Sequence, residues 1–219
     1  LPSLKLHLKE IRQVLQSRIF WGIAPLAAIS SGANMAIHGL WMKPWLRDVT
    51  GLSADNAAQL LFAMTLTFIG GFLTLGIIAE RLSQLFDVHL MSISVFGMTI
   101  FLFIQGTMIY GGIGSPLILV ILLGFFGTAS VLVYAGYAKI FPKNLSGRVS
   151  TFLNLLVFIG AFILQWGIGA IIELWPPTDN GYDPESYQSA FGFLVILQAA
   201  GLMWYLFSKK FYRKQNILI

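Results

Sequence analysis

Polar and ionisable side chains recur at helical spacing inside the long apolar stretches of this sequence. In the first stretch Ser31, Asn34, His38, Trp41 and Trp45 follow one another at steps of three and four residues, so they share one face of a helix. Hydroxyl, amide and indole groups on one face can hold a polar solute by hydrogen bonds. His38 adds acid–base chemistry, because an unperturbed imidazole titrates at about pH 6.5.

Two later stretches carry similar faces. They comprise Gly127, Ser130, Tyr134 and Tyr137 in the fourth stretch and Ser150, Asn154, Ala161 and Gln165 in the fifth. An unpaired polar group in hydrocarbon is costly, so these faces should meet a partner helix or a water-filled cavity. The alternative is that they only join helices by hydrogen bonds, with Tyr and Trp near the ends as interface anchors.

The other stretches are plainer. Gln105 in the third and Gln198 in the sixth are each largely alone, which predicts peripheral helices that face lipid and support the others. The first stretch has a second, smooth stripe suited to close backbone packing, formed by Ala24, Ala28, Gly32 and Ala36.

The elements that must position these residues are predicted to be membrane-spanning helices. Hydrophobic residues make up 57% of the 219-residue chain and charged residues 11%, against about a quarter charged in soluble domains. A turn at 111–116 divides an uncharged run that is too long for one span. The predicted spans are 19–46, 56–79, 88–110, 116–140, 149–173 and 187–208.

The remaining segments flank a six-helix domain over 19–208. In 1–18, apolar and basic residues alternate at helical spacing, which predicts an amphipathic helix along a headgroup surface. The segment 209–219 is a basic tail, and 175–184 is a turn-rich loop.

The basic residues predict the orientation of the spans. If the N-terminus is cytoplasmic, twelve of the 14 Lys and Arg residues lie inside and only Lys43 and Arg47 lie outside. Both termini are then cytoplasmic.

Other classes of function lack support in the sequence. The bases fall between apolar runs rather than in an aromatic-rich cluster, which argues against nucleic acid as a partner. The chain has no cysteine, and His7, His38 and His89 are scattered, so no metal site is predicted. No motif for an enzyme or a nucleotide cofactor is found.

Three segments resemble the C-terminal half of bacterial transporters of the major facilitator superfamily. Gly76, Glu80 and Arg81 match the loop signature between the second and third helices of a half, although Ser83-Gln84-Leu85 replaces its later Gly and basic pair. Segments 39–53 (GLWMKPWLRDVTGLS) and 141–154 (FPKNLSGRVSTFLN) look like the seventh-helix exit and the loop between the tenth and eleventh helices.

The resemblance implies an all-α membrane protein whose six transmembrane helices form two inverted three-helix repeats. It implies secondary active transport of a small solute across the bacterial cytoplasmic membrane by alternating access, without a cofactor, and with an N-terminal half or a second copy as partner. A competing hypothesis is a non-transporting assembly or receptor subunit.

In the family, the first, second, fourth and fifth helices of a half line the central cavity. The cavity candidates are Asn34, His38, Trp41, Tyr134, Tyr137, Asn154 and Gln165. His38 is also the candidate for proton coupling, unless it is a neutral hydrogen-bonded histidine. Gly76, Glu80 and Arg81, with Arg148 as partner, are candidates for a cytoplasmic gate.

Overall fold

The computed structural model describes residues 4–112, 114–176, 178 and 181–213, with side chains described from residue 9 to residue 209. The first three residues of the segment 1–18, which the family resemblance implies is a cytoplasmic linker, lie outside the described residues. So do part of the 175–184 loop, including Asn180, and the tail from Lys214. The described chain is helical apart from turns and one isolated bridge between Thr178 and Gly181.

A short helix, α1, precedes six long ones and covers Leu4–Leu15. The six long helices are apolar and long enough to cross a membrane, which confirms the prediction of an integral membrane protein with six spans. We number them as spans 1 to 6: Arg18–Asp48, Ala54–Phe86, Leu90–Tyr110, Pro116–Ile140, Lys143–Ile172 and Pro184–Lys209.

The boundaries of the spans follow from local chemistry. Ser17 and Ser53 accept hydrogen bonds from first-turn amides of spans 1 and 2, as N-cap residues do. Gly111 and Gly112 have φ angles of +86° and +95°, which glycine adopts without strain, and Pro116 opens span 4. The predicted break between spans 3 and 4 is confirmed.

Spans 1 and 5 approach each other through the smooth stripe of span 1. A Cβ atom placed on Gly32 would lie 2.9 Å from the Ala161 amide nitrogen, and one on Gly160 would lie 3.2 Å from the Ala28 carbonyl oxygen. Spans 2 and 4 meet in the same way at Gly124, where a Cβ would overlap the Met64 carbonyl oxygen. Small residues therefore bring the backbones of both pairs into contact.

Spans 3 and 6 form a third pair, and here the structure corrects the sequence analysis. Gln105 and Gln198 are 0% and 1% exposed, and Gln198 Nε2 donates to Gln105 Oε1 over 2.6 Å. The two glutamines are partners rather than isolated groups near lipid. Helical periodicity within one span could not show which other span faces it.

The helix α1 packs on the end of the bundle at which span 1 begins and spans 2, 4 and 6 finish, which we call the basic end. Val14 is fully buried, and α1 packs on spans 1 and 5. Glu10 accepts a hydrogen bond and ion pair from Arg148 Nε at 2.6 Å. The predicted amphipathic helix thus contacts protein on one side.

Candidate functional site

A cavity of about 560 Å³ lies between spans 1, 2, 4 and 5. These are the four spans that the family resemblance implies. Five of the seven predicted cavity residues line it: Asn34, His38, Tyr134, Asn154 and Gln165. Ser31, Ser130 and two phenylalanines of span 2, Phe68 and Phe72, also line it.

Both spans that start a predicted three-helix repeat lose regular α-helical geometry beside this cavity. Span 1 contains a π-helical turn at Ile37–Trp41, and span 4 contains a 3₁₀ turn at Ala129–Val131. Such irregular turns inside long helices are frequent at functional sites, because they redirect side chains and backbone groups. Here they position His38 and Ser130 in the wall.

Spans 1 and 4, which contain the irregular turns, contact each other in the cavity wall. Ser31 Oγ donates to Ser130 Oγ over 2.7 Å. Asn34 lies against Gly127, where any side chain would overlap its amide group, so glycine is required there by space. The Asn34 Oδ1 atom is buried and has no hydrogen-bond partner among the described residues. An unpaired amide oxygen next to a cavity is a group that a bound solute or water could satisfy.

His38 is half-buried in the wall and contacts span 2. Its Nε2 lies 3.1 Å from Thr65 Oγ1, and Thr65 Oγ1 donates its single hydrogen to the Leu61 carbonyl oxygen at 2.9 Å. The Thr65 oxygen therefore accepts from His38, which assigns the hydrogen to Nε2. Nδ1 is left as the basic nitrogen and has no partner among the described side chains. The ring edge packs on Phe68, with centroids 5.2 Å apart.

Spans 4 and 5 contribute the remaining polar groups. Tyr134 donates from its hydroxyl to Asn154 Oδ1 over 3.3 Å. Gln165 Nε2 reaches the Met35 carbonyl oxygen at 3.5 Å, the outer limit of a hydrogen bond. Both hydrogen bonds are long and therefore weak, so these side chains can exchange them for hydrogen bonds to a ligand.

Trp41 and Tyr137 do not line the cavity. Trp41 is buried, and its Nε1 donates to the Gln165 carbonyl oxygen at 3.1 Å, so it joins spans 1 and 5. Tyr137 is buried one turn beyond Tyr134, where span 4 closes on span 1, and its hydroxyl donates to the Phe20 carbonyl oxygen at 2.6 Å. Both residues face the predicted direction, but neighbouring spans close over them.

The predicted gate residues are not brought together. Glu80 and Arg81 are exposed at the end of span 2 and form no ion pair among the described residues, and Gly76 has open space around its Cα. Arg148 instead pairs with Glu10 of α1. The amphipathic pattern of α1 predicts a helix on the headgroup surface and does not reveal this partner.

Span 2 supplies the part of the wall that the sequence analysis missed. Thr65, Phe68 and Phe72 recur at steps of three and four residues, which is the signal that could have identified this face. In an apolar span a threonine and two phenylalanines do not stand out from the background. The contacts of Thr65 and Phe68 with His38 in span 1 show that this face of span 2 is turned toward the cavity.

The wall combines neutral hydrogen-bonding groups with aromatic rings, and no Lys, Arg, Asp or Glu side chain lines the cavity among the described residues. No cluster of potential metal ligands occurs in the described part of the chain. The wall suits a small polar solute with an apolar face. No protein-family model, curated protein or solved structure matches the chain.

Proposed function

We propose that this chain is the C-terminal half of a major facilitator transporter, which moves a small polar solute across the bacterial cytoplasmic membrane by alternating access. The observation that carries the proposal is the cavity beside the breaks in spans 1 and 4, where hydrogen-bonding side chains meet in a mostly apolar wall. Transporters with repeated folds bind substrate between discontinuous helices.

The pairing of the spans supports an inverted repeat. Span 1 packs on span 5, span 2 packs on span 4, and span 3 packs on span 6. Exchange of spans 1–3 with spans 4–6 leaves this set of pairs unchanged. The Gln105–Gln198 bond joins the two helices that end the repeats. The broken helices, spans 1 and 4, are also equivalent under this exchange.

The partner is an N-terminal half or a second copy of this chain. Spans 2 and 5 flank the cavity and expose large apolar side chains: Phe62, Leu66, Leu73, Phe158, Phe162 and Trp166. A single half has one wall of a transport pathway, and a partner across these spans supplies the other. The basic residues support an orientation with both termini in the cytoplasm.

His38 is the proposed site of proton coupling. It is the basic side chain in the cavity wall, and its Nδ1 can accept a proton while Nε2 donates to Thr65. An imidazolium is stabilised when the cavity contains water and is costly when the cavity is dry. Alternating access supplies that difference.

Cysteine accessibility tests the proposal, because the natural chain contains no cysteine. Asn154→Cys and Gln165→Cys should react with a membrane-impermeant maleimide in intact cells and in inside-out vesicles, because both residues line the same cavity. In a transporter the cavity is open to each side in turn, so both preparations label.

The control is Ser94→Cys, since Ser94 is fully buried and donates to the Ala129 carbonyl oxygen between spans 3 and 4. It should stay unlabelled in both preparations. Absence of labelling at both cavity positions would reject an aqueous pathway and favour a non-transporting membrane subunit.

A further inference from the structure

Span 1 contains a proline whose missing backbone donor is replaced from another helix. Pro25 lies inside the regular helix Arg18–Ala36. In an α-helix the amide of residue 25 donates to the carbonyl oxygen of residue 21, but proline has no amide hydrogen. The Trp21 carbonyl therefore lacks its regular helical partner. Trp204 Nε1 of span 6 donates to this oxygen over 2.7 Å.

The backbones of spans 1 and 6 approach each other beside this bond. A Cβ atom placed on Gly201 would lie 3.2 Å from the Leu26 Cα atom. Because the two helices run in opposite directions, the step from Gly201 to Trp204 along span 6 corresponds to the step from Leu26 to Trp21 along span 1. The close backbone contact thus holds the Trp204 indole at the level of the carbonyl that Pro25 leaves without a donor.

Trp21 also holds α1. Its Nε1 donates to the carbonyl oxygen of Leu15, the last residue of α1, over 2.7 Å. Trp21 and Trp204 are 38% and 52% exposed, as tryptophans that anchor a protein at a membrane surface are. An indole has one N–H donor, however, and here both donors are bonded to backbone carbonyls. One residue, Trp21, therefore joins α1, span 1 and span 6.

The Trp21 carbonyl lies close to the end of span 1. Trp21 is the fourth residue of the span, so it lies about 4.5 Å along the helix axis from Arg18. Deep in hydrocarbon a carbonyl needs a donor from the protein, whereas near the headgroups it can bond to water. Water can therefore replace the indole, and the bond can open and close reversibly.

We propose that Pro25 is a hinge in span 1 and that the Trp204 indole is its latch. With the latch closed, the segment 18–24 and α1 are held on span 6. When the indole releases the Trp21 carbonyl, this segment bends at Pro25, because the helix lacks one backbone hydrogen bond there.

Other contacts determine which part of span 1 moves. Beyond the hinge, Gly32 fixes span 1 against the backbone of span 5. Before the hinge, the Tyr137 hydroxyl of span 4 donates to the Phe20 carbonyl oxygen over 2.6 Å. Opening of the latch therefore separates the start of span 1 from span 6 at the basic end, while the contacts with spans 4 and 5 remain. The latch operates in this chain by itself, whether or not the chain transports a solute.

Hydrogen–deuterium exchange of the full chain in neutral detergent tests the latch. Trp204→Phe removes the indole donor and keeps an aromatic ring. Exchange of the backbone amides of residues 19–24 should become about threefold to tenfold faster, the ratio that corresponds to one interhelical hydrogen bond in a membrane protein. Exchange of residues 33–36, beyond the hinge, should not change.

Pro25→Ala provides the second variant. Alanine restores an amide that donates to the Trp21 carbonyl, so Trp204→Phe should have little effect in a Pro25→Ala chain. Equal acceleration in both backgrounds would overturn the proposal, because Trp204 would then act by packing alone. Acceleration spread evenly along span 1 would show that there is no hinge at Pro25. If Trp204→Phe alone does not fold, Pro25→Ala/Trp204→Phe should recover a folded chain, and failure to do so would also reject the latch.

The matched control is Trp166→Phe. Trp166 of span 5 is 71% exposed, and its indole forms no hydrogen bond within the described part of the chain. This variant should leave the exchange of residues 19–24 unchanged. An acceleration equal to that of Trp204→Phe would mean that loss of any exposed tryptophan is sufficient, and it would overturn the proposal.

Discussion

Gln198 of span 6 donates a 2.6 Å hydrogen bond to Gln105 of span 3, and both side chains are buried. The remaining amide nitrogen of Gln105 and amide oxygen of Gln198 are buried without partners in the described structure. Each glutamine is thus half-satisfied, and its partner supplies the only hydrogen bond that is present for its side chain there.

Replacement of either glutamine alone should destabilise the protein. Gln105→Leu leaves the Gln198 amide without a partner, and we expect a loss of about 0.5–2 kcal/mol, the range found for interhelical polar bonds in membranes. Gln105→Leu/Gln198→Leu removes both amides and should recover stability, because no buried polar group is left. A double-mutant cycle of unfolding in mixed micelles measures the coupling. Strictly additive losses would contradict this pairing.

Gly32→Ala should destabilise the contact between spans 1 and 5. The new methyl group would lie 2.9 Å from the Ala161 amide nitrogen and 3.0 Å from the Gly160 carbonyl carbon, and backbone atoms cannot move aside as side chains do. We expect a loss of about 1–3 kcal/mol, as for overpacked cores. The matched control is Gly70→Ala in span 2, where no atom lies within 4 Å of the added carbon. A lower melting temperature for the control than for Gly32→Ala would refute this explanation.

Arg148→Gln should release α1 from the bundle. Its ion pair with Glu10 joins α1 to span 5, and the two side chains are only 27% and 13% exposed. A hydrogen bond to a charged group contributes about 1.5–3 kcal/mol, so tryptic cleavage at Lys9 and Arg12 should be about tenfold faster or more. Lys143→Gln, which removes an exposed base from the start of the same span, serves as the control. Equal cleavage rates for all three proteins would show that the ion pair does not hold α1 on the bundle.

His89 should make stability depend on pH. In the folded protein, burial lowers the pKa of His89 below its ordinary value of 6.5, and the positive charges of Lys139 and Lys209 lower it further. The neutral imidazole is therefore favoured by folding, so this stability is complete above pH 6.5 and is lost as the pH falls through the lowered pKa. Melting temperatures in phosphate-free neutral detergent should fall between pH 7.5 and pH 5. His89→Asn keeps an N-cap but does not titrate, and should make this fall smaller.

His38→Gln in the complete transporter should remove the proposed proton coupling. Glutamine can still donate to Thr65, but it cannot accept a proton as Nδ1 does. We expect slower transport and a flat pH profile, measured by solute uptake into proteoliposomes with and without a pH gradient. Uptake with an unchanged rate and unchanged pH dependence would leave His38 as a hydrogen-bonding residue only. Thr65→Val is the complementary variant, since it removes the bond and keeps the titrating ring.

The sequence predicted those features that depend on one helix at a time. Apolar runs located all six spans, and helical phase selected Asn34, His38 and Asn154 for the cavity wall. The smooth stripe of span 1 predicted close backbone packing, because small residues at steps of four let another helix approach along one face.

Features that depend on two helices could not be predicted in this way. The pairing of Gln105 with Gln198, and of Arg148 with Glu10, depends on which helices are neighbours in space. Tyr137 has the phase of a cavity residue but lies where span 1 covers it. Phase gives the direction of a side chain, and only packing determines whether that direction leads to open space.

The contact between Gly32 and Gly160 also bears on mechanics. Spans 1 and 5 touch along their backbones with no long side chains between them, so we expect them to move together as one rigid unit. A displacement of α1 at the Glu10–Arg148 ion pair would then move both spans together. Beyond this contact the α-helix of span 1 gives way to a π-helical turn at Ile37–Trp41, so a bend beside His38 is favoured there.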